Sequence, residues 1–70
     1  MVEVFKTNVQ KKAHSKMLIG VLSKAFPTFE INFDLLDCDK VLRVEGDNMK
    51  VSRIIMLVKK NGFRCELLEG

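Results

Sequence analysis

Apolar and polar residues alternate through the middle of the chain, and this pattern predicts two adjacent strands. From Phe29 to Leu35 every second residue is apolar, and the alternation resumes at Leu42 and Val44. A period of two gives a strand one buried face and one exposed face. The polar residues 37–40 between the two stretches are typical of a reversal, because Asp side chains hydrogen-bond to their own backbone. We therefore predict a central β-hairpin.

A helical pattern precedes this hairpin. Its apolar positions recur at three- and four-residue spacing, as expected for one buried stripe: Met17, Leu18, Val21, Leu22 and Ala25. Residues 7–10, Thr-Asn-Val-Gln, have the pattern of a capping box. Either Thr7 or Asn8 could be the cap, and both predict a helix start near Val9. Pro27 ends the helix, because the residue before a proline is pushed out of the helical region.

A second helical pattern follows the hairpin. Its predicted inner stripe is Val51, Ile54, Ile55 and Val58. The pair at residues 61–62, Asn-Gly, predicts the end of this helix, because glycine enters the left-handed region without a Cβ penalty. Short alternating stretches at residues 2–7 and 63–68 predict a strand near each end of the chain.

The predicted order is therefore β-α-β-β-α-β in a single domain, residues 1–70. Short connections and right-handed crossovers favour an α+β, ferredoxin-like arrangement. This is a four-stranded antiparallel sheet with both helices on one face and the strand order last, first, third, second. The strand residues predicted to face the helices are Val2, Val4, Ile31, Phe33, Leu42, Val44, Phe63 and Cys65.

Composition places the chain in the globular class, with 47% hydrophobic and 30% charged residues. No apolar run reaches the roughly 18 residues of a membrane helix, and residues 1–4 lack a signal-peptide pattern. The two cysteines, Cys38 and Cys65, fit a reducing compartment, so we expect a cytoplasmic protein without membrane contact. A net charge of +3 is too small to indicate nucleic-acid binding by itself.

Three stretches carry a resemblance to a known family: Phe-Glu-Ile-Asn-Phe-Asp-Leu at residues 29–35, Val-Leu-Arg-Val at 41–44, and residues 51–63, with paired Ile residues, a closing Gly and a following Phe. Together they resemble the heavy-metal-associated, copper-chaperone-like domain. The resemblance implies a ferredoxin-like fold and a Met-x-Cys-x-x-Cys metal loop between the first strand and the first helix.

The chain departs from that family at the metal loop. The corresponding residues 7–14 contain neither cysteine, whereas Cu(I) prefers thiolate ligands. No metal ligand of the family can therefore be transferred, and we expect no cofactor. An alternative is a divergent metal carrier that uses Cys38 and His14, or a site shared across a dimer.

The sheet face away from the helices is the more informative surface. The predicted register places on it five candidate protein-contact residues: Phe5, Val41, Arg43, Arg64 and Leu68. RNA-recognition sheets present several aromatic side chains, whereas here one Phe lies among acidic residues. We therefore expect a protein partner or self-association as a dimer through this face.

Enzymatic function has no support in the sequence. No nucleophile lies beside a base, and no glycine-rich phosphate loop is present. The sequence thus favours a small non-catalytic binding module. Weak nucleic-acid binding through the lysine-rich helices is a second alternative to the metal carrier.

Overall fold

The computed structural model describes residues 1–68 and contains four strands and two helices. In chain order they are β1 Val2–Thr7, α1 Lys12–Ala25, β2 Glu30–Asp34, β3 Val41–Glu45, α2 Val51–Lys60 and β4 Cys65–Leu67. All strand pairs are antiparallel, and the sheet order is β2-β3-β1-β4. Read from the β4 edge, each strand has the neighbouring strands that were predicted from the sequence. The fold is α+β, with a four-stranded antiparallel sheet and two helices.

A single hydrophobic core joins both helices to one face of the sheet. Leu18 and Leu22 of α1, Ile54 and Val58 of α2, and Leu42 of β3 are fully buried within it. The alternate residues of β2 and β3 are exposed or half-buried. The prediction that the central hairpin has one buried face is therefore confirmed.

The predicted facing of β1 is wrong. Val2 and Val4 were expected in the core, but Phe5 is 0% exposed and Thr7 is buried, while Val2 is 42% exposed. The physical reason is Lys6, which lies on the same face of β1 as the two valines. Turning Val2 and Val4 inward would also bury the ammonium group of Lys6, which is costly without a partner. The larger apolar surface of Phe5 therefore decides the register.

The predicted start of α1 is also wrong. The helix begins at Lys12, and Val9 lies buried in the connection before it. The Thr7 hydroxyl accepts a hydrogen bond from the Val9 backbone N–H at 3.2 Å. Thr7 therefore forms an ST-turn, closed by the bond from the Val9 N–H to its own hydroxyl, and does not cap the helix.

The buried stripe of α1 is rotated relative to the prediction. Leu18 and Leu22 are buried as expected, but Met17 and Ala25 are exposed and Ser15 is buried instead. The Ser15 hydroxyl donates to the backbone carbonyl three residues earlier at 2.7 Å. Because that bond satisfies the hydroxyl, a serine can occupy a buried position.

The C-terminal end of helix α2 agrees with the prediction. The helix spans Val51–Lys60, and Ile54 and Val58 are its buried residues. Gly62 has a φ of +92°, the left-handed conformation expected just after the helix. The last strand is shorter than predicted, because Phe63 lies before β4 and is half-buried. None of the helices within residues 1–68 has the length and apolarity needed to cross a membrane.

Thr7 and Asn8, at the end of β1, bind two other connections of the fold. The Thr7 backbone N–H donates to the Asp39 carbonyl at 3.1 Å, and the Thr7 hydroxyl donates to the Lys40 carbonyl at 2.6 Å. The Asn8 side-chain oxygen accepts from the Arg64 backbone N–H at 2.7 Å. The loop after β1 is thus fixed to the β2–β3 and α2–β4 connections.

Gly46 packs closely against an aromatic pair at the opposite end of the sheet. A Cβ at this position would overlap the ring of Phe29. That ring stacks on Phe26 with a centroid distance of 5.2 Å and an interplanar angle of 9°. Only glycine therefore fits at position 46 without displacing the Phe29 ring.

Candidate functional site

The face of the sheet away from the helices, here called the open sheet face, is the first candidate site. Alternation along the four strands and the residue after β4 defines it. Its members are Val2, Val4, Lys6, Glu30, Asn32, Asp34, Val41, Arg43, Glu45, Glu66 and Leu68. No element within residues 1–68 covers this face, since both helices contribute to the core on the other side.

Apolar side chains occupy the middle of the open sheet face. Val4, Val41 and Leu68 are each half-buried. Val4 lies directly opposite Arg43, and the Leu68 backbone N–H donates to the Val4 carbonyl at 2.8 Å. Val4 and Leu68 are therefore neighbours on adjacent strands.

The sequence-predicted centre of this surface, Phe5, is not part of it. Phe5 is fully buried, so the prediction that it contacts a partner is wrong, and Val4 takes the central position. The other four predicted residues remain accessible: Arg43 and Arg64 are exposed, and Val41 and Leu68 are half-buried.

Charges of both signs surround the apolar residues. Glu30 and Glu45 lie directly opposite each other on β2 and β3. At the other end, Lys6, Arg64 and Glu66 line a depression of about 200 Å³ together with residues 7–8. The Lys6 ammonium also lies 3.7 Å from an Asp39 carboxylate oxygen, with both side chains substantially exposed, so this pair adds little stability.

The second candidate site is the loop edge near Cys38. The potential ligand atoms of Asp37, Cys38 and Asp39 lie within 4.8 Å of one another, and Cys38 is exposed. Asp37 and Asp39 already have structural roles. The Asp37 carboxylate accepts from the Asp39 backbone N–H at 2.9 Å, and the Asp39 carboxylate lies near Lys6. This arrangement is that of a hydrogen-bonded turn.

His14 lies apart from this cluster. Its ring packs against Phe63 with a centroid distance of 5.4 Å, and it shares a shallow pocket with residues 8, 10, 11 and 62. It is not among the residues that approach Cys38. A single thiol with two carboxylates does not match the ligand preference of Cu(I). The residues present at this edge therefore do not fit the ion that the family resemblance implies.

Cys65 has a core position, as predicted. It is 2% exposed and pairs with Thr7 across β4 and β1. Burial raises the pKa of its thiol from the ordinary value of 9.0 to about 11, with a lowering influence from Lys59 and a raising one from Glu66. A thiol with this pKa is neutral at physiological pH and is a poor nucleophile or metal ligand.

Sequence reasoning missed a groove between α1 and β2, here called the α1–β2 groove. Leu36, just after β2, is 99% exposed. It lines a groove of about 620 Å³ whose walls come from the first half of α1 and from residues 32–36. The available signal was the Leu35-Leu36 pair, which breaks the alternation where a single buried leucine would suffice.

No protein-family model, curated protein or solved structure matches this chain.

Proposed function

We propose that this chain is a non-catalytic protein-binding module with a ferredoxin-like fold, and that it acts through the open sheet face. The observation that carries the proposal is the position of Val4, Val41 and Leu68 on a sheet face that residues 1–68 leave uncovered. An apolar centre with a charged rim is the usual anatomy of a protein interface.

The ferredoxin-like assignment and the resemblance to heavy-metal-associated domains belong to the same proposal. The β-α-β-β-α-β element order and the strand order support the assignment. The chemistry of residues 7–14 supports a scaffold that lacks the family's metal loop. Two free cysteines are in keeping with a reducing, cytoplasmic environment, which is also part of the proposal.

A second copy of the chain is the first partner to test. The open sheet face carries the basic residues Lys6 and Arg43, with Arg64 beside it. It also carries four acidic residues: Glu30, Asp34, Glu45 and Glu66. A two-fold symmetric contact brings the same surface of both copies together, so the basic groups of one copy can pair with acidic groups of the other.

Sedimentation velocity of the wild type and the Val4→Glu variant tests the proposal. We expect a wild-type dimer, and a Val4→Glu monomer with an unchanged circular dichroism spectrum, because Val4 projects from the sheet and not into the core. Met56→Glu on α2 is the matched control, since Met56 is 67% exposed and lies outside this face. A wild-type monomer at about 1 mM would exclude self-association and leave only a different protein as the partner.

A divergent metal carrier is the second candidate, because the Asp37, Cys38 and Asp39 ligand atoms lie close together. Competition against a chromogenic Cu(I) chelator separates the two functions. We expect no retention of Cu(I) by the folded protein. Retention of one equivalent that is lost in Cys38→Ser would favour the carrier instead.

A further inference from the structure

The outer edge of β2 is a free strand edge beside an apolar groove. β2 is the terminal strand of the sheet, and no other strand of residues 1–68 lies along its outer side. The N–H and C=O groups on that side can pair with an added strand. Next to this edge, Ile19, Phe33 and Leu35 are half-buried in the α1–β2 groove, and Leu36 is fully exposed at its end.

We propose that the α1–β2 groove binds an extended segment of another protein, which pairs with β2 as an additional strand. The groove supplies what strand addition requires: main-chain pairing at a free edge and a pocket for every second side chain. The side chains of the segment that face α1 would cover Ile19, Phe33 and Leu36. Those residues are apolar, so the partner presents apolar side chains there.

The charges beside the groove define the rest of the partner. Lys12 and Lys16, one helical turn apart on α1, line the groove on the helix side. Glu30 and Asp34 alternate with the inward residues of β2 and so lie on the face away from α1. Asp34 also borders the groove, where its carboxylate accepts a hydrogen bond from the Leu36 backbone N–H at 3.1 Å. On the side that faces α1, the partner segment therefore carries apolar residues flanked by acidic ones. On its other side it carries basic residues.

A second copy of β2 that pairs symmetrically about Asn32 does not fit this description. In an antiparallel pairing centred on Asn32, Glu30 of one copy would face Asp34 of the other. Like charges directly opposite each other on adjacent strands are destabilising. The charge pattern thus selects a partner strand with basic residues at these positions.

The proposed groove adjoins the open sheet face at the β2 edge, where Asn32 and Asp34 belong to both, but its apolar residues lie elsewhere. Lys12, Lys16 and Ile19 belong to α1, which packs on the other side of the sheet, and Leu36 follows the end of β2. The inference therefore goes beyond the proposed function and describes a second binding surface. Sedimentation reports on the first surface, and a peptide titration reports on the second.

A labelled heptapeptide tests the inference by fluorescence anisotropy. The sequence Glu-Lys-Val-Lys-Leu-Arg-Glu places apolar and acidic residues on one side of a strand and basic residues on the other. Its charge pattern is the same in both directions, so parallel and antiparallel pairing are both covered. The charge-inverted peptide Lys-Glu-Val-Glu-Leu-Glu-Lys is the control. We expect saturable binding of the first peptide, and binding of the second that is weaker by about tenfold or more.

Variants of exposed residues locate the binding site. We expect the double variant Lys12→Glu/Lys16→Glu to weaken binding of the first peptide by about tenfold or more, and Leu36→Ser to weaken it measurably. Lys24→Glu/Lys50→Glu and Met56→Ser are matched controls, because these residues are exposed and do not line the groove. They should leave the affinity unchanged.

Amide chemical shifts give an independent reading. On titration, the shifts of residues 31–36 should move, whereas those of residues 43–45 on the neighbouring strand should move little. The proposal is overturned if the first peptide shows no saturable binding up to about 1 mM, if both peptides bind equally, or if the groove variants bind like the wild type. Shift changes centred on Val4 and Leu68, in the middle of the open sheet face, would also overturn it.

Discussion

The Thr7 hydroxyl donates a hydrogen bond to the Lys40 carbonyl oxygen at 2.6 Å, between residues 33 positions apart in sequence. The Thr7 backbone N–H donates to the adjacent Asp39 carbonyl, so the end of β1 holds the β2–β3 connection at two points. Thr7 is 6% exposed, so water is largely excluded from these bonds. The loop that carries Cys38 is positioned by a residue in a different strand.

Thr7→Val removes the hydroxyl while preserving the shape of the side chain. We expect the free energy of unfolding to fall by about 1–3 kcal/mol, because the partly buried Lys40 carbonyl and the buried Val9 N–H both lose a partner. Thr7→Ser retains the hydroxyl and is the control. Urea denaturation of both variants measures the difference, and an equal or larger loss in Thr7→Ser would assign the effect to the methyl group instead.

The facing of β1 is tested by a pair of neighbouring substitutions. Phe5→Ala should lower the free energy of unfolding by about 3–5 kcal/mol, because it leaves a cavity in the only core among residues 1–68. Val4→Ala, on the open sheet face, should cost about 1 kcal/mol or less. Chemical denaturation measures both. The reverse ranking would mean that the valines of β1 face the core.

The wrong prediction of which β1 residues face the core shows the limit of a two-residue period. The period identifies a strand, but it does not by itself identify the buried face. In residues 2–7 one face carries Val2 and Val4 and the other carries Phe5, so alternation alone leaves the choice open. The buried face of helix α2 was easier to predict, because Ile54 and Val58 lie one helical turn apart and the end of the helix is marked by Gly62. The start of α1 was missed because the Thr7 hydroxyl bonds to a residue distant in sequence, and a local pattern contains no information about that contact.

Two glycine substitutions should have opposite effects on stability. Gly46→Ala should be destabilising by about 1–3 kcal/mol, because the added methyl group overlaps the Phe29 ring and overpacking strains the aromatic pair. Gly20→Ala should be stabilising by about 0.5–1 kcal/mol, because Gly20 lies within α1 with nothing within 4 Å of an added Cβ. Thermal and urea melts compare the two. A stabilising Gly46→Ala would contradict the close packing at Gly46, and a destabilising Gly20→Ala would contradict the open space at Gly20.

The raised pKa of Cys65 predicts a loss of stability at alkaline pH. Below pH 9 the thiol is protonated in both the folded and the unfolded chain. Between pH 9 and about 11 the unfolded chain releases the proton while the folded protein retains it, so ionisation favours unfolding. Above this range the loss amounts to about 2–3 kcal/mol.

Cys65→Ala isolates this effect from the titration of lysines. The stability advantage of the wild type over the variant should shrink steadily from pH 8 to pH 11, as measured by urea melts at several pH values. Curves that remain parallel would show that the thiol does not ionise differently in the two states.

The candidate surfaces differ in how far the sequence could define them. Val41 and Arg43 were assigned to the open sheet face because β3 alternates cleanly. Leu36 was not recognised, because its full exposure depends on how the β2–β3 connection leaves the sheet. The path of this connection is fixed by a hydrogen bond within it, from Lys40 Nζ to the Leu35 carbonyl at 3.0 Å, and by the long-range bonds from Thr7.

The central position of β1 has a consequence for the order in which the chain folds. Phe5 lies between Leu42 on one side and Leu67 on the other, so β1 pairs only with strands that are synthesised well after it. The β2–β3 hairpin, by contrast, closes through a short connection with a smaller entropic cost. During synthesis β1 must therefore wait with both edges unpaired and its phenylalanine exposed until β3 is complete. In this interval the nascent chain is most exposed to aggregation and to binding by chaperones.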